Sequence, residues 1–194
     1  MRIGFDAKRA FFNTSGLGNY SRSTIELLTK FYPQNDFLLF TPSIENAIDF
    51  KYPEKAEIIQ PKHLIERTFK SWWRSFKMAS SIAEHELDIF HGLSGELPIK
   101  AHKKSKAKLI VTIHDLIFLR FPEYYTSVDR NIYYQKAKYA CEIADTIIAI
   151  SEQTKSDLIN FFKVDDKKIE VVYQGCNTIF HKEADTTVKI EVAG

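Results

Sequence analysis

Apolar residues in this chain fall into short runs of about five, separated by stretches whose apolar positions recur with a helical period. The clearest run is 109–113, Leu-Ile-Val-Thr-Ile, inside the stretch KLIVTIHDL. An unbroken run of that kind predicts a strand buried on both faces, as in parallel α/β sheets. Comparable runs predict strands at 2–6, 36–40, 56–60, 87–91, 146–150 and 169–173. Helical periodicity predicts helices at 18–31, closed by Pro33, and at 64–85, 128–144 and 151–162. Short strands alternating with helices of ten or more residues imply βαβ units. The expected fold is therefore α/β, a mostly parallel sheet of about seven strands with helices on both faces. Residues 181–194 break the pattern: 186–192 reads as a strand start with nothing after it to pack on. One domain over 1–180 is expected, followed by the start of a linker or a truncated second domain.

Composition narrows the class. An apolar content of 44% and a charged content of 27% are ordinary for a soluble globular chain of 194 residues. A net charge of +2 is too weak to argue for nucleic acid, and neither an RNA-binding aromatic signature nor zinc-finger spacing occurs. No run approaches the ~18 apolar residues of a membrane span. The amino terminus, MRIGFDAKRA, enters a strand directly and shows no signal-peptide core. Cys141 and Cys176 lie far apart, which reads as reduced thiols in a cytoplasmic protein.

Candidate chemistry gathers where strands end. His114 and Asp115 follow the central run, at the rim where open α/β sheets bind ligands. Either His114 faces a substrate there, or the pair fixes a loop. Gly16 and Gly18 sit at a loop-to-helix junction, where glycine admits a close backbone approach and free N–H groups meet an anion. This is not the dinucleotide fingerprint, because Ser21 holds the sixth position. A plain helix cap is the other reading. The segment 90–98, FHGLSGELP, offers His91 and Glu96 as polar groups for an acceptor hydroxyl, or is a glycine-rich connector. Ser151 is placed to cap the following helix, and a capped terminus on that rim also suits a ligand.

The 65–77 segment carries two stripes. Ile65, Phe69, Trp72 and Phe76 form an apolar one, and Arg67, Lys70, Arg74 and Lys77 a basic one on the opposite face. The apolar stripe is expected to pack on the sheet and leave the basic face in solvent; an anionic membrane surface is the alternative for that face. The six histidines show no metal-ligand spacing, and no Ser-nucleophile elbow or P-loop is present.

Five of these pieces occur in one order: the first strand with Asp6, then Gly16-Leu17-Gly18-Asn19-Tyr20, Val111-Thr112-Ile113-His114-Asp115-Leu116, Ile148-Ala149-Ile150-Ser151-Glu152 and Ile169-Glu170-Val171-Val172-Tyr173-Gln174-Gly175. Together they closely resemble the amino-terminal half of family 4 glycosyltransferases, over about residues 2–180. The resemblance implies a GT-B fold, in which two Rossmann-like α/β/α domains face each other across a cleft. This chain would be the amino-terminal, acceptor-side domain. The family transfers a sugar from a nucleotide-sugar donor to a glycan or lipid-linked acceptor, with retention and without a metal or other cofactor. The resemblance implies that Gly16 and Gly18 approach the donor diphosphate and that His114 contacts the donor sugar near the reaction centre. It puts Tyr20, His91, Glu96 and Asp115 at the acceptor, and Ser151 and Gly175 at the interdomain cleft. Many members build lipopolysaccharide or capsule, which implies a cytoplasmic protein, peripheral on the inner face of a membrane. Two departures stand out. Asn19 occupies a position where many members carry a basic residue, and the paired glutamates of the second domain are absent. The chain is therefore expected to be a fragment, inactive alone. The rival reading is a free-standing, non-catalytic α/β domain that binds a phosphorylated ligand or a partner.

Overall fold

The computed structural model of the chain describes residues 1–175, the side chains of Leu64 and Ile65 apart. The expected linker at 181–194, the strand start at 186–192 and Cys176 lie outside the described residues. Strand β1 (Arg2–Asp6) leads into helices α1 (Lys8–Phe12) and α2 (Gly16–Phe31). Strands β2 (Asp36–Phe40) and β3 (Glu57–Ile59) follow. Helices α3 (Leu64–Thr68) and α4 (Lys70–Trp72), a π-helical turn (Trp73–Lys77) and helix α5 (Met78–Glu84) then lead to β4 (Ile89–Gly92). Helix α6 (Ala101–Lys104) precedes β5 (Lys108–Ile113), and helices α7 (Ile117–Arg120) and α8 (Ser127–Ile143) precede β6 (Thr146–Ala149). Helix α9 (Glu152–Phe162) and strand β7 (Ile169–Val171) complete the order.

The seven strands pair in parallel in the order β3-β2-β1-β4-β5-β6-β7, a Rossmann-like α/β sheet. Strand β2 shows why its run is continuously apolar. Phe37 and Leu39 point into one cluster with Phe5, Phe11 and Ile25, while Leu38 and Phe40 join another with Met78, Ile82 and Phe90. Successive side chains leave a strand on opposite faces, so covering both faces demands apolar residues at every position. The sequential order reverses between β1 and β4, which opens a crevice at the carboxyl ends of those strands.

Two expectations fail. The stretch left without an element between the strand expected at 2–6 and the helix expected at 18–31 contains α1, too short for periodicity to reveal. The single helix expected over 64–85 is broken at Phe69 and again at the π-helical turn. Its apolar stripe faces solvent, while Arg67, Lys70 and Lys77 of the basic stripe stay exposed and Arg74 does not. Phe69, Trp72 and Phe76 are 61%, 41% and 48% exposed, whereas Trp73 and Arg74 are buried. The apolar stripe therefore does not pack on the sheet. Arg74 leaves the basic face because two carboxylates draw it inward, as described below. Among the described residues, no helix is long and apolar enough to cross a membrane.

Candidate functional site

Beside the point where the strand order reverses, the segments that follow β1, β4 and β5 enclose a cleft of about 250 Å³. Arg9 and Leu17 contribute from the first, Gly95 and Glu96 from the second, and His114 and Asp115 from the third. Phe118, Tyr125 and Tyr133 form an aromatic wall, with Lys136 from α8 at its side. Gly95 has φ +74°, a conformation glycine adopts readily. Its N–H donates to the Thr112 carbonyl at 2.9 Å, which stitches the β4 loop to β5.

His114 is held from several sides. Its Nε2 lies 3.0 Å from the Leu93 carbonyl, which only accepts, so Nε2 carries the proton. Nδ1 is then the acceptor and receives the Gln174 side-chain amide at 3.0 Å. The Tyr20 ring meets the imidazole edge-on with centroids 4.7 Å apart. Thr154 Oγ1 donates to the His114 carbonyl at 3.0 Å, tying the first turn of α9 to the end of β5. Burial pushes the His114 pKa below its ordinary value, opposed by the Leu93 carbonyl and Asp115. The ring is thus neutral at pH 7, with a defined donor and a defined acceptor.

His91 does not reach the cleft. It is buried, and its Nε2 lies 2.8 Å from Thr112 Oγ1, which also meets the Tyr20 hydroxyl at 2.9 Å. Burial, and then His114, push its pKa down to about 4. The acceptor contact expected of His91 is therefore replaced by an internal one: a neutral imidazole on β4 that fixes β5 and α2 together. Tyr20 likewise turns its hydroxyl inward and serves the cleft through its ring against His114.

Glu96 lies on the cleft and is clamped. Arg74 Nη1 donates to Glu96 Oε2 at 2.5 Å, and Lys136 Nζ lies 3.4 Å from Oε1. The same guanidinium reaches Asp6 at the end of β1: Nε donates to Oδ2 at 2.8 Å, and Nη2 lies 2.7 Å from that oxygen without hydrogen-bond alignment. Burial presses the Glu96 pKa upward, but Arg74 and Lys136 outweigh it and hold the carboxyl below its ordinary value. Arg74 itself is held above its ordinary value, because the two carboxylates more than offset its burial. A π-helical turn is a frequent feature of functional sites, and here it delivers the clamp.

The remaining candidates divide. At Gly18 a Cβ would stand 1.7 Å from the Asn13 carbonyl oxygen, so the start of α2 packs on its own preceding loop. Asn13 Oδ1 accepts the Gly18 N–H at 3.0 Å, which leaves the N–H groups of Gly16 and Leu17 without partners among the described residues. A Cβ at Gly16 would meet open space. Asp115 lines the cleft while its Oδ1 accepts the Ile117 N–H at 3.1 Å, so it both faces the site and starts α7. Ser151 caps α9, accepting the Thr154 N–H at 3.1 Å, and is absent from the cleft wall. Gly175 is exposed and follows Gln174, which does reach His114. Arg9, Lys136 and the aromatic wall escaped the sequence reading, since none belongs to a spaced motif, and Arg74 was read there as part of the solvent-facing basic stripe. Among the described residues, no group of three or more His, Cys, Asp or Glu side chains is arranged to hold a metal.

Residues 15–180 match a family model described as Glycosyltransferase Family 4. No curated protein matches the chain in sequence. Among solved structures it is similar to a sucrose-phosphate synthase from Thermosynechococcus elongatus, with TM-score 0.64 and 16% identity over 92% of this chain and 49% of that one. It is also similar to the lipopolysaccharide outer core galactosyltransferase WaaB, with TM-score 0.51 and 18% identity over 91% and 46% of the two chains. A glycosyltransferase from Rickettsia africae gives TM-score 0.50 and 16% identity over 96% and 46%. The chain thus spans about half the length of the structures it matches, and at these identities the likeness shows the fold.

Proposed function

This chain belongs to glycosyltransferase family 4, and from that premise we propose that it is the acceptor-side half of a retaining glycosyltransferase that works without a metal. It would pass a sugar from a nucleotide-sugar to a glycan or lipid-linked acceptor. One observation carries the reading: the amino-terminal turn of α2 and the imidazole of His114, 98 residues apart between Gly16 and His114, meet at one cleft on the carboxyl rim of the sheet. In such a reaction negative charge grows on the leaving diphosphate. The free N–H groups of Gly16 and Leu17 suit that charge. The neutral His114 ring suits a donor-sugar hydroxyl once Gln174 releases Nδ1. Glu96 and the aromatic wall suit an acceptor ring. The nucleotide-sugar would be held mainly by a second domain across the cleft, which also excludes water.

The test joins this chain to such a domain and follows the product by proton NMR. Turnover with retained anomeric configuration is expected, and negligible turnover for residues 1–194 alone. An inverted product removes the retaining mechanism. A rate of ~1 per second or more from the chain alone removes the two-domain reading. No transfer by the joined protein favours a non-catalytic domain that binds a phosphorylated ligand.

The exposed stripe favours a location as well. Phe69, Trp72 and Phe76 lie bare beside Lys70 and Lys77, and the Lys77 ammonium sits 5.6 Å over the Trp72 ring. Apolar rings flanked by cations suit insertion into the headgroup layer of an anionic membrane. The protein would then be peripheral on a cytoplasmic membrane face, beside its lipid-linked acceptor. Replacing all three rings by serine is expected to weaken binding to phosphatidylglycerol-containing vesicles at least tenfold in a flotation assay. Unchanged flotation removes the membrane reading.

A further inference from the structure

Four cations and three carboxylates meet at the cleft and just behind it, and they do not cancel. Arg74 and Lys136 are spoken for by Asp6 and Glu96. Asp115 accepts a backbone N–H and pairs with no cation among the described residues. Lys8 and Arg9 remain. The Lys8 ammonium is disfavoured by burial and then by its neighbours Arg74 and Arg9. Arg9 lines the cleft near enough to His114 to disfavour its protonation. Its Nε is shielded from solvent and bonded to nothing, and its guanidinium forms no ion pair among the described residues.

A guanidinium whose Nε–H is shielded and unpartnered is unfavourable in the free protein, because the hydration lost at that atom is not replaced. It becomes favourable when a ligand supplies the anion. A planar guanidinium fits phosphate through two parallel N–H donors. The same cleft is lined by Phe118, Tyr125 and Tyr133, and aromatic rings suit the C–H face of a sugar. The volume of about 250 Å³ lies below the ~300–1,000 Å³ of sites for drug-sized ligands, so it suits one ring and its substituent.

We infer that the acceptor taken by this cleft is a sugar bearing a phosphate group, received by Arg9 with Lys8 behind it, while the sugar ring lies against the aromatic wall. The inference rests on the transferase reading for the word acceptor, but the anion site stands on the unpaired guanidinium itself. Titration calorimetry on the 194-residue chain, with glucose 6-phosphate, glucose and pyrophosphate as probes, tests it. Glucose 6-phosphate is expected to bind at least tenfold more tightly than glucose. Arg9→Ala should erase that advantage and Arg9→Lys restore part of it, with pyrophosphate binding unmoved by either change. Arg9→Gln serves if the alanine variant fails to fold. No preference for the phosphorylated sugar, or a preference that survives Arg9→Ala, overturns the proposal. So does an equal loss of pyrophosphate binding, which would assign Arg9 to the leaving diphosphate. The two readings fail separately: transfer activity with an Arg9-independent cleft removes only the anion site, and phosphate binding through Arg9 without transfer removes only the enzyme.

Discussion

Arg74→Ala is expected to destabilise this domain by about 3–5 kcal/mol, the usual consequence of stripping one partner from a buried ionic cluster. The side chains of Arg74, Asp6 and Glu96 retain 10%, 4% and 23% of their exposure, so water replaces little of what the guanidinium supplies. Urea unfolding at pH 7 measures the loss. Its pH dependence separates this cause from simple loss of packing. In the native chain Glu96 is held below its ordinary range, so its contribution is complete above about pH 4.3 and fades as pH falls further. The contribution of His91, held neutral down to about 4, is complete above pH ~6.5 and declines as the unfolded chain takes up its proton below that. The native chain therefore weakens on acidification. In Arg74→Ala, Lys136 alone is left to oppose the burial of Glu96, so its pKa rises and protonation relieves part of the damage. The gap between variant and native chain should narrow between pH 7 and pH 5. A gap that stays constant over that interval would mean that Arg74 matters as a packing stem and not as a charge.

The second large effect concerns turnover. In a protein that joins this chain to a nucleotide-sugar domain, His114→Ala is expected to lower kcat about 10²–10³-fold, with a much smaller change in the acceptor KM. The reason lies in the hydrogen bonds. Nε2–H is committed to the Leu93 carbonyl, so the orientation of Nδ1, which meets the Gln174 amide, is set before any substrate arrives. Alanine removes both that acceptor and the surface on which the Tyr20 ring rests. Equal losses in kcat and in acceptor affinity would demote His114 to a residue that shapes the acceptor pocket. Because its pKa lies below the ordinary histidine value, the activity that depends on its neutral form should persist from pH 8 down past pH ~6.5.

The sheet was legible because a strand covered on both faces needs an unbroken apolar run, and β2 carries one over 37–40 and β5 over 109–111. The place of the candidate cleft was legible too, since Glu96, His114 and Asp115, which line it, all follow strand ends. What lay hidden was side-chain direction. His91 ends its strand like His114, yet it faces the Thr112 hydroxyl; with no alignment of strands, nothing in the residue order says which histidine looks outward. Arg74 sat on a regular basic stripe, and only the π-helical turn, invisible to a period of 3.6 residues, carries it into the core. Arg9 was missed because α1 is too short to announce itself.

Among the described residues, the two outermost strands of the sheet are both only three residues long, β3 at one border and β7 at the other. A border that short exposes few unpaired backbone groups for a stray chain to zip onto. Between them the longer strands, whose apolar runs would aggregate if bared, are sealed inside. The brevity of the flanks thus acts as a guard against amyloid-like stacking, and lengthening β7 by substitutions that extend its pairing would be the change most apt to lose it.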